Sequence, residues 1–147
     1  MNYFAYGSNM DEARMKERQC LFSDAQAASL LDWKLVFDKQ SQKMPEVGFG
    51  NVEPDKGSLV EGILYTLNDT MITVLDKYEG HPKHYTRQRI KVTCKGKEVE
   101  ADIYIANKNW VKEGLKPSKD YLDHFLAGKE FLSESYYENL KKTPTTL

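Results

Sequence analysis

Two stretches of the chain carry groups that could act on one substrate atom: Tyr6-Gly7-Ser8-Asn9 near the start, and Glu79 far from it in sequence. A strand that runs into Gly-Ser-Asn before a helix leaves backbone N–H groups unpaired in the turn, where they can receive a carboxylate or a developing oxyanion. Gly7 lets a ligand approach the main chain, and Ser8 and Asn9 add side-chain donors. Both are also preferred helix caps, which is the plain structural reading of the stretch. Glu79 stands seven residues after Ile72 and four after Leu75, so a helix through them sets its carboxylate on the apolar stripe. It falls in the last turn beside Gly80, at the negative end of the helix dipole. Burial and dipole both favour the protonated acid, and the raised pKa they predict suits proton shuttling near neutral pH. The plain alternative is a frayed helix end with Glu79 in water.

Other reactive residues form weaker sets. His81 and His84 have metal-like spacing, but Pro82 prevents the helix that would align them and no third ligand is evident, so a surface loop and no metal are expected. Cys20 and Cys94 are far apart with no second pair, which predicts separate reduced thiols. Either would need a positioned base to act as a nucleophile, and Cys94 stands near the end of a hairpin strand, remote from any obvious histidine. Ser8 lacks the Gly-x-Ser-x-Gly elbow of a serine hydrolase.

The elements that must position Glu79 and the YGSN turn follow from periodicity. Asn2 to Tyr6 reads as a strand, Gly7 as a turn, and Met10, Ala13 and Met15 as a helix. Ala28 to Phe37 is rich in strand formers, and GFGNVEPDKG after it carries the glycines and proline of a bend. Leu59 to Leu67 is a buried strand whose Gly62 marks a bulge or a close backbone approach. Asn68 and Asp69 can cap a helix through Met71, Ile72, Val74, Leu75 and Tyr78, stopped by Gly80 and Pro82. TRQRIKVTC and EVEADIYIA alternate as a hairpin across Lys95, Gly96 and Lys97. A helix begins at Pro117 and Ser118 and runs through Tyr121 and Phe125, and SESYYENLKK forms a last short one. Intermixed strands and few helices give an α+β domain spanning 1–147, built on a curled sheet or small mixed-strand β-barrel with flanking helices.

The bulk properties narrow the partners. A chain of 147 residues that is 40% hydrophobic suits one core. Lys and Arg number 21 against 22 Asp and Glu, scattered without a basic block, which argues against nucleic acid as the main partner. No apolar run is long enough to span a membrane, and the start lacks the pattern of a secretion signal, so a cytoplasmic protein is expected.

YFAYGSNM, then DKYEG, then HYTRQRIKV closely resemble the γ-glutamylcyclotransferase family, and the likeness extends over nearly the whole chain. ASLLDWKLVF, LVEGILYTL and KPSKDYLDHFLAGKEF are similar to its second strand, the strand before its catalytic helix, and a later helix with a substrate-side tyrosine. The resemblance implies a small mixed barrel in which the YGSN turn and the glutamate meet at one pocket. It further implies conversion of a γ-glutamyl amine or amino acid to 5-oxoproline and the free amine, without a cofactor. Glu79 matches the catalytic glutamate, which takes a proton from the substrate's α-ammonium and returns it to the leaving amine. Tyr3, Phe4, Ala5, Tyr6, Gly7, Ser8 and Asn9 match the substrate-binding turn, with the Gly7 and Ser8 amides as oxyanion donors, and Tyr85 and Tyr121 match tyrosines lining the pocket. Lys77, Tyr78 and HPKHY depart from the family's pattern and bear on the leaving group. The partner implied is a small γ-glutamyl molecule; whether the chain acts as a monomer or homodimer stays open. A γ-glutamyl hydrolase and a non-catalytic γ-glutamyl or carboxylate-binding module or sensor are the competing readings.

Overall fold

The computed structural model describes residues 1–146. Its strands are β1 (Asn2–Ala5), β2 (Asp24–Gln40), β3 (Gly48–Thr66), β4 (Tyr85–Cys94) and β5 (Lys97–Ala106), closed into a barrel in the order β1-β3-β2-β4-β5. β1 lies antiparallel to β3, with Phe4 opposite Leu64, and closes the ring by pairing in parallel with β5 at Tyr3 and Asp102. That single parallel contact makes the barrel mixed, as expected. Helix α1 (Glu12–Glu17) follows β1, α2 (Asp69–Tyr78) connects β3 to β4, and α3 (Lys119–Leu126) and α4 (Glu134–Lys141) follow β5.

GFGNVEPDKG, expected to be a bend, belongs to β3. The ladder with β2 is maintained from Gln40 opposite Gly48 to Asp24 opposite Thr66, so the turn-forming residues are overridden by pairing. Their curvature survives as a bulge: Leu31 faces Leu59 but Trp33 faces Pro54, leaving residues 55–58 against Asp32 alone. Asp32 takes a φ of 67°, and its carboxylate accepts the Gly57 N–H at 3.0 Å. Pro54 sits at this irregularity, where a missing N–H is tolerated.

Two apolar clusters hold the fold. Phe4, Leu30, Val52, Val60, Leu64, Val92 and Ile103 come from all five strands and fill the barrel. Tyr3, Ile63 and Tyr65 on the wall's other face pack against Met15, Ile72, Leu75, Leu122 and Phe125 from the helices. Each such burial contributes about 1.5–3 kcal/mol. Gly62 is the close approach expected of it, since a Cβ there would lie 2.3 Å from the Ala5 carbonyl oxygen. The β4–β5 turn is two residues, Lys95 and Gly96 at φ 52° and 76°, and Lys97 already pairs with Cys94. Cys20 and Cys94 are buried free thiols in different clusters, and burial pushes the Cys20 thiol up to about 11. Among the described residues no helix is long and apolar enough to cross a membrane.

Candidate active site

The YGSN turn is built without spending Ser8 or Asn9 on a helix cap. Ser8–Met10 forms a single 3-10 turn, closed by Met10 N–H on the Gly7 carbonyl at 3.0 Å, and Asp11 caps α1 by accepting from Ala13 N–H. Asn9 is released for other work and is buried, 2% exposed. Its Oδ1 accepts from Arg18 Nη1 at 3.0 Å; because a guanidinium only donates, this fixes which way the amide faces. Nδ2 therefore points to the Tyr3 hydroxyl at 2.9 Å and to Glu79 Oε1 at 3.2 Å. The Asn9 carbonyl is tied to the Tyr65 hydroxyl at 2.7 Å, anchoring the turn to the barrel wall. The amides of Gly7, Ser8 and Asn9 make no hydrogen bond to the described chain.

Glu79 reaches the turn because α2 ends on it. Asn68 caps the start through Met71 N–H, and Gly80 ends the helix at φ 65°. His81 N–H bonds to the Asp76 carbonyl and Gly80 N–H to the Lys77 carbonyl, the paired bonds of a Schellman stop. The end is thus ordered rather than frayed, and the half-buried Glu79 side chain lies between an inner cavity and an outer cleft. Burial raises its pKa, and Arg18, Arg14, Lys39 and the Asn9 hydrogen bond pull the other way.

Tyrosines from four elements surround the inner cavity: Tyr3 and Tyr6 from β1 and its end, Tyr85 from β4, Tyr104 from β5 and Tyr121 from α3. Tyr6 and Tyr85 spend their protons on the carbonyls of Tyr104 and Gly50, each at 2.6 Å. Tyr121 instead accepts the Gly50 N–H at 2.8 Å, and Tyr3 accepts from Asn9, so each keeps a proton to offer a ligand. Burial lifts the phenols of Tyr3, Tyr6, Tyr85 and Tyr121 above their ordinary range, keeping them neutral donors. Of the residues named from sequence, Tyr3, Tyr6, Gly7, Ser8, Asn9, Glu79, Tyr85 and Tyr121 line this cavity together. Phe4 and Ala5 do not: both side chains are buried in the apolar clusters. Gly50 and Tyr104 were missed, the first because it was read as part of a bend, the second because strand alternation alone does not reveal which face meets a cavity.

The family described as "Gamma-glutamyl cyclotransferase, AIG2-like" matches residues 3–123. This chain belongs to that family. Among curated relatives of this gamma-glutamyl cyclotransferase-like chain, "Gamma-glutamylcyclotransferase" of Mus musculus is 32% identical over 95% of this chain and 76% of its own length. The Homo sapiens protein of that name is 30% identical over the same shares. A solved structure called "Gamma-glutamyl cyclotransferase" superposes with a TM-score of 0.85 at 28% identity, covering 99% of this chain and 89% of that one.

The outer cleft of this family member encloses about 520 Å³ and is lined by Arg14, Arg18, Lys39, Lys43 and Lys77, with Glu79 its lone carboxylate among the described residues. Of the stretches that depart from the family pattern, Lys77, Tyr78, His84 and Tyr85 line this cleft, whereas His81, Pro82 and Lys83 do not. His81 and His84 serve separate neighbours: His81 Nδ1 accepts from Arg87 N–H at 3.1 Å, and His84 Nδ1 meets Lys39 Nζ at 2.9 Å. Lys39 carries no signal in the sequence, since only its register opposite Phe49 turns it inward.

Proposed function

We propose that the chain is a γ-glutamyl cyclotransferase, converting a γ-glutamyl amine or amino acid to 5-oxoproline and the free amine. The observation that carries this reading is the meeting of Glu79 with the unbonded Gly7 and Ser8 amides at one tyrosine-lined cavity. The substrate's α-ammonium must lose a proton before its nitrogen can attack. An ionised Glu79 accepts that proton, and burial, by raising the carboxylate's proton affinity, narrows the gap to the ammonium. The nitrogen then bonds to the γ-carbonyl carbon, closing a five-membered ring, and charge develops on the carbonyl oxygen. The Gly7 and Ser8 N–H groups stabilise that oxyanion, with the free Tyr121 or Tyr3 O–H as a neutral third donor. Collapse breaks the bond to the leaving nitrogen, to which Glu79 returns its proton; the ring nitrogen then gives up its second proton, by way of Glu79, to the departing amine, which leaves as an ammonium. One carboxylate serves as base and then acid, and no group outside the chain is consumed.

A tethered amine has an effective concentration far above that of competing nucleophiles, which favours cyclisation over attack by water. Mass spectrometry after incubation with γ-glutamyl-alanine tests the reading. 5-Oxoproline and alanine are expected; free glutamate would indicate a hydrolase, and intact but bound substrate a binding module.

A further inference from the structure

The cyclotransferase reading directs the γ-glutamyl half of a substrate to the Tyr6–Asn9 turn and Glu79 at the inner cavity, and leaves the charge of the cleft beyond it unexplained. None of Arg14, Arg18, Lys39, Lys43 or Lys77 forms an ion pair among the described residues. Arg18 and Arg14 are the cations felt most by Glu79, and each is held by a partner other than a carboxylate, Asn9 Oδ1 and His124 Nε2. They belong with the glutamyl half. Lys39 is different: it is 3% exposed, and a buried ammonium without a carboxylate is costly. Its Nζ bonds to His84 Nδ1 at 2.9 Å and lies over the Trp110, Phe49 and Tyr85 rings at 4.5, 5.6 and 5.9 Å. His84 is itself stacked on Trp110, with ring centroids 4.5 Å apart. The aromatic walls hold Lys39 in place and leave its charge to be met from the cleft. Lys43 and Lys77 are exposed and line the same cleft.

Resting on the cyclotransferase reading, we propose that this cleft is a subsite for an acidic leaving group, an amino acid carrying two carboxylates, with Lys39 as its buried anchor and Lys43 and Lys77 meeting the second charge. A neutral amine would leave Lys39 desolvated and unpaired beside the bound substrate. A single carboxylate would meet Lys39 and leave the two exposed lysines without a partner. Two carboxylates satisfy all three, and the cleft is large enough for an amino-acid-sized group.

The test measures kcat/KM for 5-oxoproline release from γ-glutamyl-glutamate, γ-glutamyl-alanine and γ-glutamyl-butylamine, at low and high salt. The expected order is glutamate, alanine, butylamine, with at least about tenfold between the first two, the scale of one charge-assisted contact. Salt should narrow the gap, mainly through KM. Lys39→Met should narrow it further; because that residue is buried, the exposed pair Lys43→Gln/Lys77→Gln is the second variant and should narrow the glutamate-to-alanine gap in a protein that folds normally. Equal kcat/KM for the glutamate and alanine conjugates in the wild type would overturn the subsite and leave the cyclotransferase reading standing. Absence of 5-oxoproline from all three would defeat that reading instead, and calorimetric titration with L-glutamate and L-alanine would then decide the subsite. Tighter binding of L-glutamate, weakened by the double substitution, would support it; indistinguishable binding would overturn it.

Discussion

A group that accepts a proton in one step and returns it in the next must be ionised when substrate arrives, and at Glu79 that balance is set by identifiable neighbours. Burial favours the acid, while Arg18, Arg14, Lys39 and Asn9 favour the carboxylate. Glu79→Gln keeps the shape and the Asn9 contact but removes the proton acceptor, so turnover should fall at least about 10²-fold in a 5-oxoproline assay. Stability should move the other way. A carboxylate whose folded pKa is raised destabilises the fold above that pKa and has no effect below its unfolded pKa. Glu79→Gln should therefore be at least as stable as wild type in urea at neutral pH, and the gain should vanish as pH falls through the ordinary carboxylate range. For the wild type, kcat/KM should decline on the acid side with a midpoint above that range, since the free enzyme needs Glu79 ionised. At Ser8 two substitutions separate backbone from side chain. Ser8→Ala removes only the hydroxyl and should cost little, whereas Ser8→Pro, shown folded by circular dichroism, should lose about 10²- to 10³-fold in turnover. Equal losses from both would move the role to the hydroxyl.

At the scale of elements, the site depends on where α2 stops. The Schellman bonds of Gly80 and His81 end the helix directly after Glu79 and turn the chain that follows back toward His84 and β4. Gly80 is at φ 65°, and a Cβ there would lie 2.7 Å from His84 Cδ2. His84 cannot yield freely because it holds Lys39 and stacks on Trp110. Gly80→Ala should therefore cost at least about 1–2 kcal/mol in urea unfolding, the usual penalty for a side chain in the left-handed region. It should also lower kcat/KM by shifting Glu79 and the cleft together. Retained stability and full activity would mean that the helix end is set by packing alone.

For the whole molecule, the barrel is a frame whose interior touches the site at Tyr6, which packs in the barrel cluster and also lines the inner cavity. Leu30 is 1% exposed inside it, packed among residues of the other strands. Leu30→Ala should cost about 2–5 kcal/mol in urea unfolding while the folded fraction keeps its kcat, because no residue lining the inner cavity lies in its strand, β2. A change in kcat with unchanged stability would show that barrel packing reaches the active-site turn. Charge behaves differently from packing at this scale. A net charge of -1 conceals a cleft with five cations and one acid.

Local chemistry made part of this protein legible without coordinates. Asn68 before an apolar stripe and Gly80 after it delimit α2 to within a residue, and the stripe's spacing puts Glu79 on its inward side. Alternation in TRQRIKVTC and EVEADIYIA gives the hairpin, and the glycine at 62 gives a close approach. YGSN and Glu79 could be named as partners on the family resemblance. Each of these is a property of one segment. What depended on pairing between segments could not be read: the β3 ladder that absorbs GFGNVEPDKG, the face that brings Gly50 and Tyr104 to the cavity, and the Asn9 contact with Glu79. The charge pattern is the clearest case. Arg14, Arg18, Lys39, Lys43 and Lys77 are scattered along the chain among acids of nearly equal number, and sequence averages them to nothing; strand register and the α2 stop gather them around one carboxylate, and electrostatic interaction depends on distance in space, not along the chain.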